Sequence, residues 1–303
     1  MGVPVEALGL STDIGHYELG MGWLRDLPDL RDYTLRTREV ADVLGQLKLL
    51  NVAPSILPAS VDLRRWCPAV ENQGALGSCT ANAGVGLLEY FERRVSGKWI
   101  DASRLFLYKT TRKLMGVRGD AGADIRTTMG AMRLFGVPPE TYWPYEIAKF
   151  DAEPSAFCYS FGKNYKTLRY YRLDPPGTLP QSLLTNIKTN LAAGFPLAFG
   201  FTVYSSISTA AASGKIPYPS KGEKTLGGHA VDAVGYDDLI RIENGSSGKE
   251  TTGALLIRNS WGDMWGSAGY GWLPYDYILM GLATDLWTVV TAEWVDTGEF
   301  GIC

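Results

Sequence analysis

Residues 73–82 read Q-G-A-L-G-S-C-T-A-N, a stretch that places Cys79 at the start of a helix. Downstream, Gly84, Leu87, Leu88, Phe91 and Val95 recur at the spacing of one helical face. Cys79 therefore falls in the first helical turn, where unpaired backbone N–H groups and the positive end of the helix dipole favour a thiolate over a thiol. Gly74 and Gly77 make the approach a tight turn that brings backbone close to the sulfur. A nucleophile at a helix start, with the amide of Gln73 nearby, suits acyl transfer. The same residues are equally compatible with Cys79 as a small buried apolar side chain.

Two later stretches bear on that choice. Residues 228–236, G-H-A-V-D-A-V-G-Y, read as a strand carrying His229, one of two histidines in the chain; the other is His16. Residues 259–270, N-S-W-G-D-M-W-G-S-A-G-Y, follow. Taken in order, Q-x-x-x-x-S-C, G-H-A and N-S-W-G-x-x-W-G-x-x-G-Y resemble the papain-like cysteine peptidases, over roughly residues 57–295 and in the manner of a short bacterial-type member.

The resemblance implies an α+β fold of two lobes with the active-site cleft between them. A helical lobe would span about 57–160, and an antiparallel β-sheet or barrel lobe about 161–295. It implies Cys79 as nucleophile, His229 as base, Asn259 as the group orienting the imidazole and Gln73 as oxyanion donor. Gly122, Ala123, Gly228 and Trp261 take substrate-binding positions, Trp261 also shielding the His229–Asn259 contact from water. Gly122 and Ala123 read equally well as a plain loop before a helix capped by Asp124. Gly228, with Gly227 and Gly200, would wall a roomy, uncharged pocket for a large apolar side chain at the second residue before the cut. The implied partners are peptide or protein substrates, and the implied reaction needs no metal or organic cofactor. Leu76 and Thr80 depart from the family, which usually has a cysteine and an aromatic there. Two rival readings remain: acyl transfer to an acceptor other than water, and a noncatalytic binding protein on the same fold.

The pattern of the chain points the same way: helices early, at about 103–114, 125–136 and 180–193, then strands at about 197–203, 229–236, 254–258, 270–273 and 286–294. Residues 237–253 read as an extended hairpin. With 46% hydrophobic and 20% charged positions the chain can bury a substantial core. A net charge of -3 without a lysine or arginine cluster argues against a nucleic-acid partner, and no apolar run reaches membrane-spanning length. The start, M-G-V-P-V-E-A, lacks the features of a secretory signal, and the compartment stays open. Setting Cys79 aside leaves Cys67, Cys158 and Cys303, hence at most one disulfide among them; Cys67 with Cys158 is the first pair to test, against three reduced thiols. Two histidines and no C-x-x-C pair argue against zinc.

Residues 1–56 have another texture and read as an N-terminal extension, a candidate short prosegment, with 296–303 as a C-terminal tail. A helix is expected over 37–50, and Pro54 and Pro58 mark the boundary. Within the run 20–33, Trp23, Leu24, Leu27 and Leu30 suit either covering an apolar cleft or packing on the back of a lobe.

Overall fold

The computed structural model describes residues 12–14, 17–46, 57–164 and 169–290. A short hairpin, β1 (Thr12–Ile14) and β2 (Tyr17–Leu19), is followed by an extended run and α1 (Arg38–Gln46). Val40 and Leu44 of α1 are buried, and the end of the expected helix, including Leu47, lies outside the described residues. Strand β3 (Ser60–Asp62) then leads to the helices α2 (Cys79–Ser96), α3 (Arg104–Met115), α4 (Ile125–Phe135) and α5 (Ala156–Gly162). The rest alternates β4 (Arg169–Arg172), α6 (Pro180–Ala192), β5 (Leu197–Tyr204), α7 (Ala210–Ser213), β6 (Thr225–Asn244), β7 (Lys249–Arg258), β8 (Tyr270–Pro274), α8 (Tyr275–Leu279) and β9 (Ala283–Val290).

Local chemistry sets most helix ends. Ser103 caps α3 by accepting from the Phe106 amide, Asp124 caps α4 by accepting from Thr127, and Gly97 and Gly116 close α2 and α3 in the left-handed conformation. The strands form a 7-stranded antiparallel sheet in the order β4-β9-β5-β6-β7-β8, with β3 also paired to β6. The barrel reading is corrected here, because β4 and β8 end the path unpaired with each other and the sheet stays open. The expected hairpin is the long β6–β7 pair, which runs out to Asn244 opposite Lys249.

Helix α2 is the axis of the molecule. It packs on α3 and α4 to one side and on β5, β6 and β9 to the other, while α6 lies against β6 and α8. With a helix on each face, the run 229–236 in β6 is buried throughout, which explains its lack of polar alternation. Every residue of α2 from Cys79 to Glu92 is buried, so the helix needs small residues on more than one side. A methyl on Gly84 would meet Leu107, Met132 and Thr128 at 3.0–3.1 Å; one on Gly86 would sit 2.4 Å from the Asp232 carboxylate and 2.8 Å from the Arg258 guanidinium.

Cys67 and Cys158 are free buried thiols and do not form the suggested pair. Cys67 Sγ faces the Leu63 carbonyl and Cys158 Sγ the Tyr142 carbonyl, on separate parts of the chain. Cys303 and His16 lie outside the described residues. No helix among the described residues is long and apolar enough to cross a membrane.

The contact at Gly86 yields a stability test. Gly86→Val pushes a branched side chain into the Asp232–Arg258 pair and should destabilise the chain by about 1–3 kcal/mol, the usual range for overpacking a close contact. Chemical denaturation reads the effect; an unchanged midpoint would show that α2 does not need the gap.

Candidate active site

Cys79 opens α2 and is fully buried. Beside its sulfur lie the backbone N–H groups of Ala230, the residue after His229 on β6, and of Gly22 from the N-terminal run. His229 is also fully buried. Its Nε2 is 2.7 Å from Asn259 Oδ1, just past the end of β7. An amide oxygen can only accept, so in the neutral ring Nε2 carries the proton and Nδ1 keeps its lone pair. Nδ1 has no hydrogen-bond partner among the described residues. The Trp261 indole stacks on the imidazole at 4.4 Å between centroids, and Phe201 meets it edge-on at 5.9 Å. Trp261 is itself buried, so its ring faces the imidazole rather than an open groove.

Gln73 is fixed at both ends. Its backbone N–H donates to the Ser260 carbonyl at 2.8 Å, and its Oε1 accepts from Ser260 Oγ at 2.5 Å. That leaves Nε2 as a directed donor, and the N-terminal run already uses it: Nε2 donates to the Gly20 carbonyl at 2.9 Å and to the Leu76 carbonyl at 2.8 Å.

Residues 20–24 form a strap across the site. Gly20 N–H donates to the Gly74 carbonyl, Trp23 N–H to Gly228, Leu24 N–H to Ala123, and Ala123 N–H to Gly22. Trp23 and Ala123 thereby pair in parallel. Gly122 has φ +71 and gives its N–H to the Tyr108 hydroxyl, so of the two residues suggested for backbone binding only Ala123 offers both its groups to the strap. The two strap glycines have a steric reason: a methyl on Gly20 would sit 2.3 Å from the Leu76 carbonyl oxygen, and one on Gly22 2.0 Å from that of Gly77. Trp23 fills the pocket expected at Gly200 and Gly228, its ring 1.9 Å from a methyl built on Gly200, while Met21 lies against Gly227. Of the four side chains suggested as a cover, only Trp23 does so; Leu24, Leu27 and Leu30 are exposed.

This cover changes the electrostatics. Burial pushes the Cys79 thiol up to about 11 against the pull of the Ala230 and Gly22 amides, and burial takes His229 down to about 4 despite Asn259. With the strap in place burial thus opposes the thiolate that the helix end favours, because a dry site penalises each charged form.

Beyond Trp23 the strap is clasped by groups that sequence reasoning missed. Asp26 N–H donates to Asp285 Oδ2 at 2.7 Å, and Trp287 Nε1 donates to Asp26 Oδ2 at 3.0 Å. Arg126 of α4 forks onto Asp32 at 2.6 and 2.7 Å and also donates to the Leu27 carbonyl. Arg172 of β4 pairs with Asp174 and Asp285 at 2.9 and 2.6 Å and approaches Asp26 and Asp32 at 3.8 and 3.6 Å. The carboxylates of Asp26, Asp32, Asp174 and Asp285 thus surround the guanidiniums of Arg126 and Arg172. Burial first, then Asp285 and Asp124, push the Asp26 carboxyl up to about 8 against the pull of Arg126.

Comparison with known proteins agrees with this geometry. The family model described as "Papain family cysteine protease" matches residues 57–288. An uncharacterized peptidase C1-like protein of Acanthamoeba polyphaga mimivirus is 32% identical over 279 residues, 88% of this chain and 86% of that protein. Cathepsin K of Gallus gallus is 29% identical over 217 residues, 70% of this chain and 58% of that protein. The crystal structure of xylellain, a cysteine protease from Xylella fastidiosa, superposes with a TM-score of 0.71 at 34% identity, covering 91% of this chain and 97% of that one.

The clasp makes strap docking depend on pH. A carboxyl whose pKa is raised on docking favours the docked state fully below its ordinary value and loses that contribution as pH climbs through the raised one. For Asp26 the window runs from 3.8 to about 8. Asp26→Asn cannot ionise. The rate of Cys79 alkylation by iodoacetamide, as a ratio of the unchanged chain to Asp26→Asn, should be near one below about pH 4, climb steadily between about pH 4 and about pH 8, and level off above it. Thiol ionisation is common to both proteins and cancels; a flat ratio contradicts the linkage.

Proposed function

The chain belongs to the papain family of cysteine proteases and is a cysteine peptidase; from that premise we propose that it is an endopeptidase whose chemistry runs through Cys79 and His229, under the control of its own residues 20–33. The observation that carries the reading is the contact of His229 Nε2 with Asn259 Oδ1, which assigns the ring's tautomer. With Nε2 committed to Asn259, the lone pair of Nδ1 is left for the proton of a thiol at the start of α2.

With the strap displaced and water admitted, His229 Nδ1 takes the thiol proton, and the helix end and the imidazolium stabilise the thiolate. The sulfur attacks a peptide carbonyl, whose oxygen gathers the electron pair between Gln73 Nε2 and the Cys79 N–H. Such donors are typically worth about 3–4 kcal/mol each. The imidazolium gives its proton to the leaving amine as the C–N bond breaks, leaving a thioester on Cys79. His229 then takes a proton from water, the hydroxide adds to the thioester, and the carboxylic acid departs as the thiolate reforms. Asn259 keeps the ring in register throughout, with Trp261 above it. Ala123 and Gly228 hold the substrate backbone, and the pocket at Gly200 receives the side chain two residues before the cut.

The strap supports a blocking role in three ways. Its Gly20 carbonyl takes the Gln73 donor, its Gly22 amide lies against the sulfur, and its Trp23 fills the pocket. The residues that follow Gly20 occupy the wall where the residues preceding a scissile carbonyl belong. The strap therefore runs against the substrate direction and presents no bond for cutting. Residues 1–56 are accordingly proposed as a short regulatory extension of a peptidase domain over 57–295.

The test is labelling of the full chain by a thiol-directed epoxide, followed by intact mass and product analysis. One adduct, lost in Cys79→Ala, and peptide products ending in free carboxylates are expected; turnover surviving in Cys79→Ala would remove the nucleophile. Gly22→Ala forces a methyl into the Gly77 backbone at a cost of about 1–3 kcal/mol, so turnover of a short peptide should rise roughly 5- to 150-fold. Unchanged turnover at an unchanged melting point would show that the strap does not limit access.

A further inference from the structure

We propose that Tyr145 is a positioning residue of the oxyanion site, tying the side-chain donor of Gln73 to the backbone donor of Cys79; this rests on the oxyanion role given to Gln73 above. Those donors belong to two pieces of chain joined by the Gly74–Gly77 turn. Gly74 has φ +59; its amide donates to Asn72 Oδ1 at 2.8 Å and the Gly77 amide to Asp120 Oδ1 at 3.0 Å, bonds that hold the turn itself. A separate bond ties the Gln73 carbonyl, on one side of the turn, to Ser78, on the other.

The Tyr145 hydroxyl bridges them. Its oxygen lies 2.9 Å from the Gln73 carbonyl and 2.6 Å from Ser78 Oγ, the residue whose next amide is that of Cys79. Asn82 Nδ2 in turn lies 3.1 Å from Ser78 Oγ and 3.0 Å from the Ser78 carbonyl. A carbonyl has no proton to give, so the direction of the chain is settled from its end. Tyr145 donates to Gln73, Ser78 donates to Tyr145, and Asn82 donates to Ser78. The phenol ring cannot drift, because the Arg104 guanidinium lies 4.1 Å over it, itself held by Glu71 at 3.0 Å and Glu140 at 2.8 Å. The Tyr145 amide donates to Glu140 as well, at 3.2 Å. Burial pushes the phenol up to about 12, which keeps its proton available for the Gln73 carbonyl at any working pH.

Loss of the hydroxyl frees the Gln73 backbone on its carbonyl side while the Ser260 bonds still hold its amide and Oε1. Nε2 and the Cys79 N–H then no longer converge on one point. Donors converging on the developing oxyanion matter chiefly in the transition state, so the loss falls on kcat and spares KM.

A double-mutant cycle in the full chain, with the strap loosened alike by Trp23→Ala in every protein, tests this. Tyr145→Phe should lower kcat about tenfold with KM within about twofold and the melting point nearly unchanged. On top of Gln73→Ala the same substitution should cost less than about threefold, because one of the donors it aligns is gone. Equal losses in both backgrounds, or a loss confined to KM, would overturn the positioning role. A normal kcat for Gln73→Ala would instead overturn the oxyanion assignment, and the proposal with it, whatever Tyr145→Phe does.

Discussion

Close approach at the first turns of α2 is the constraint on which the structure depends. A helix that begins with its reactive side chain and is buried all round must let other elements come near from both sides. Gly84 admits α3 and α4, and Gly86 admits the Asp232–Arg258 pair of the sheet. Because β6 is brought against α2 in this way, the amide of Ala230 reaches the sulfur, and His229 follows as its sequence neighbour. Asn259 and Ser260 then lie beyond β7, next in the sheet, and from there one holds the imidazole while the other holds Gln73. The site is thus assembled by packing rather than by any one loop.

The same burial works against the helix end and the imidazole: desolvation opposes both charged forms, raising Cys79 and lowering His229 with the strap docked. On the proposed reading the strap would act twice, by occupying the groups that a substrate needs and by drying the ones that must ionise.

What was legible in the sequence follows from the range of the interactions involved. The helix start at Cys79, the cap at Asp124, and the long β6–β7 hairpin depend on neighbours in the chain, and local patterns describe them. Closure of the sheet depends on whether β4 meets β8, which no local pattern reports, and the expected barrel is an open sheet. The clasp joins Asp26, Arg126, Arg172 and Asp285 from four separate elements, each of which alone reads as an ordinary surface charge. Leu24, Leu27 and Leu30 looked like a cover because apolar residues usually seek one; yet only Trp23 meets the glycines that make room for a ring. The spacing of Gly20 and Gly22 was the visible sign of that close passage, and it becomes readable once the Leu76 and Gly77 carbonyls are known to lie beneath.

The strap also belongs to the molecule it covers, so its occupancy is unaffected by dilution. A tethered segment acts at an effective concentration on the order of millimolar, whereas a free peptide arrives at its own bulk concentration. If the strap blocks the cleft as proposed, every external ligand binds with an apparent affinity reduced by the fraction of molecules that are open. Two inhibitors of equal intrinsic strength will rank equally on the full chain, but both will look weak, and the shortfall measures the docking equilibrium of Gly20 to Trp23 rather than any defect of fit.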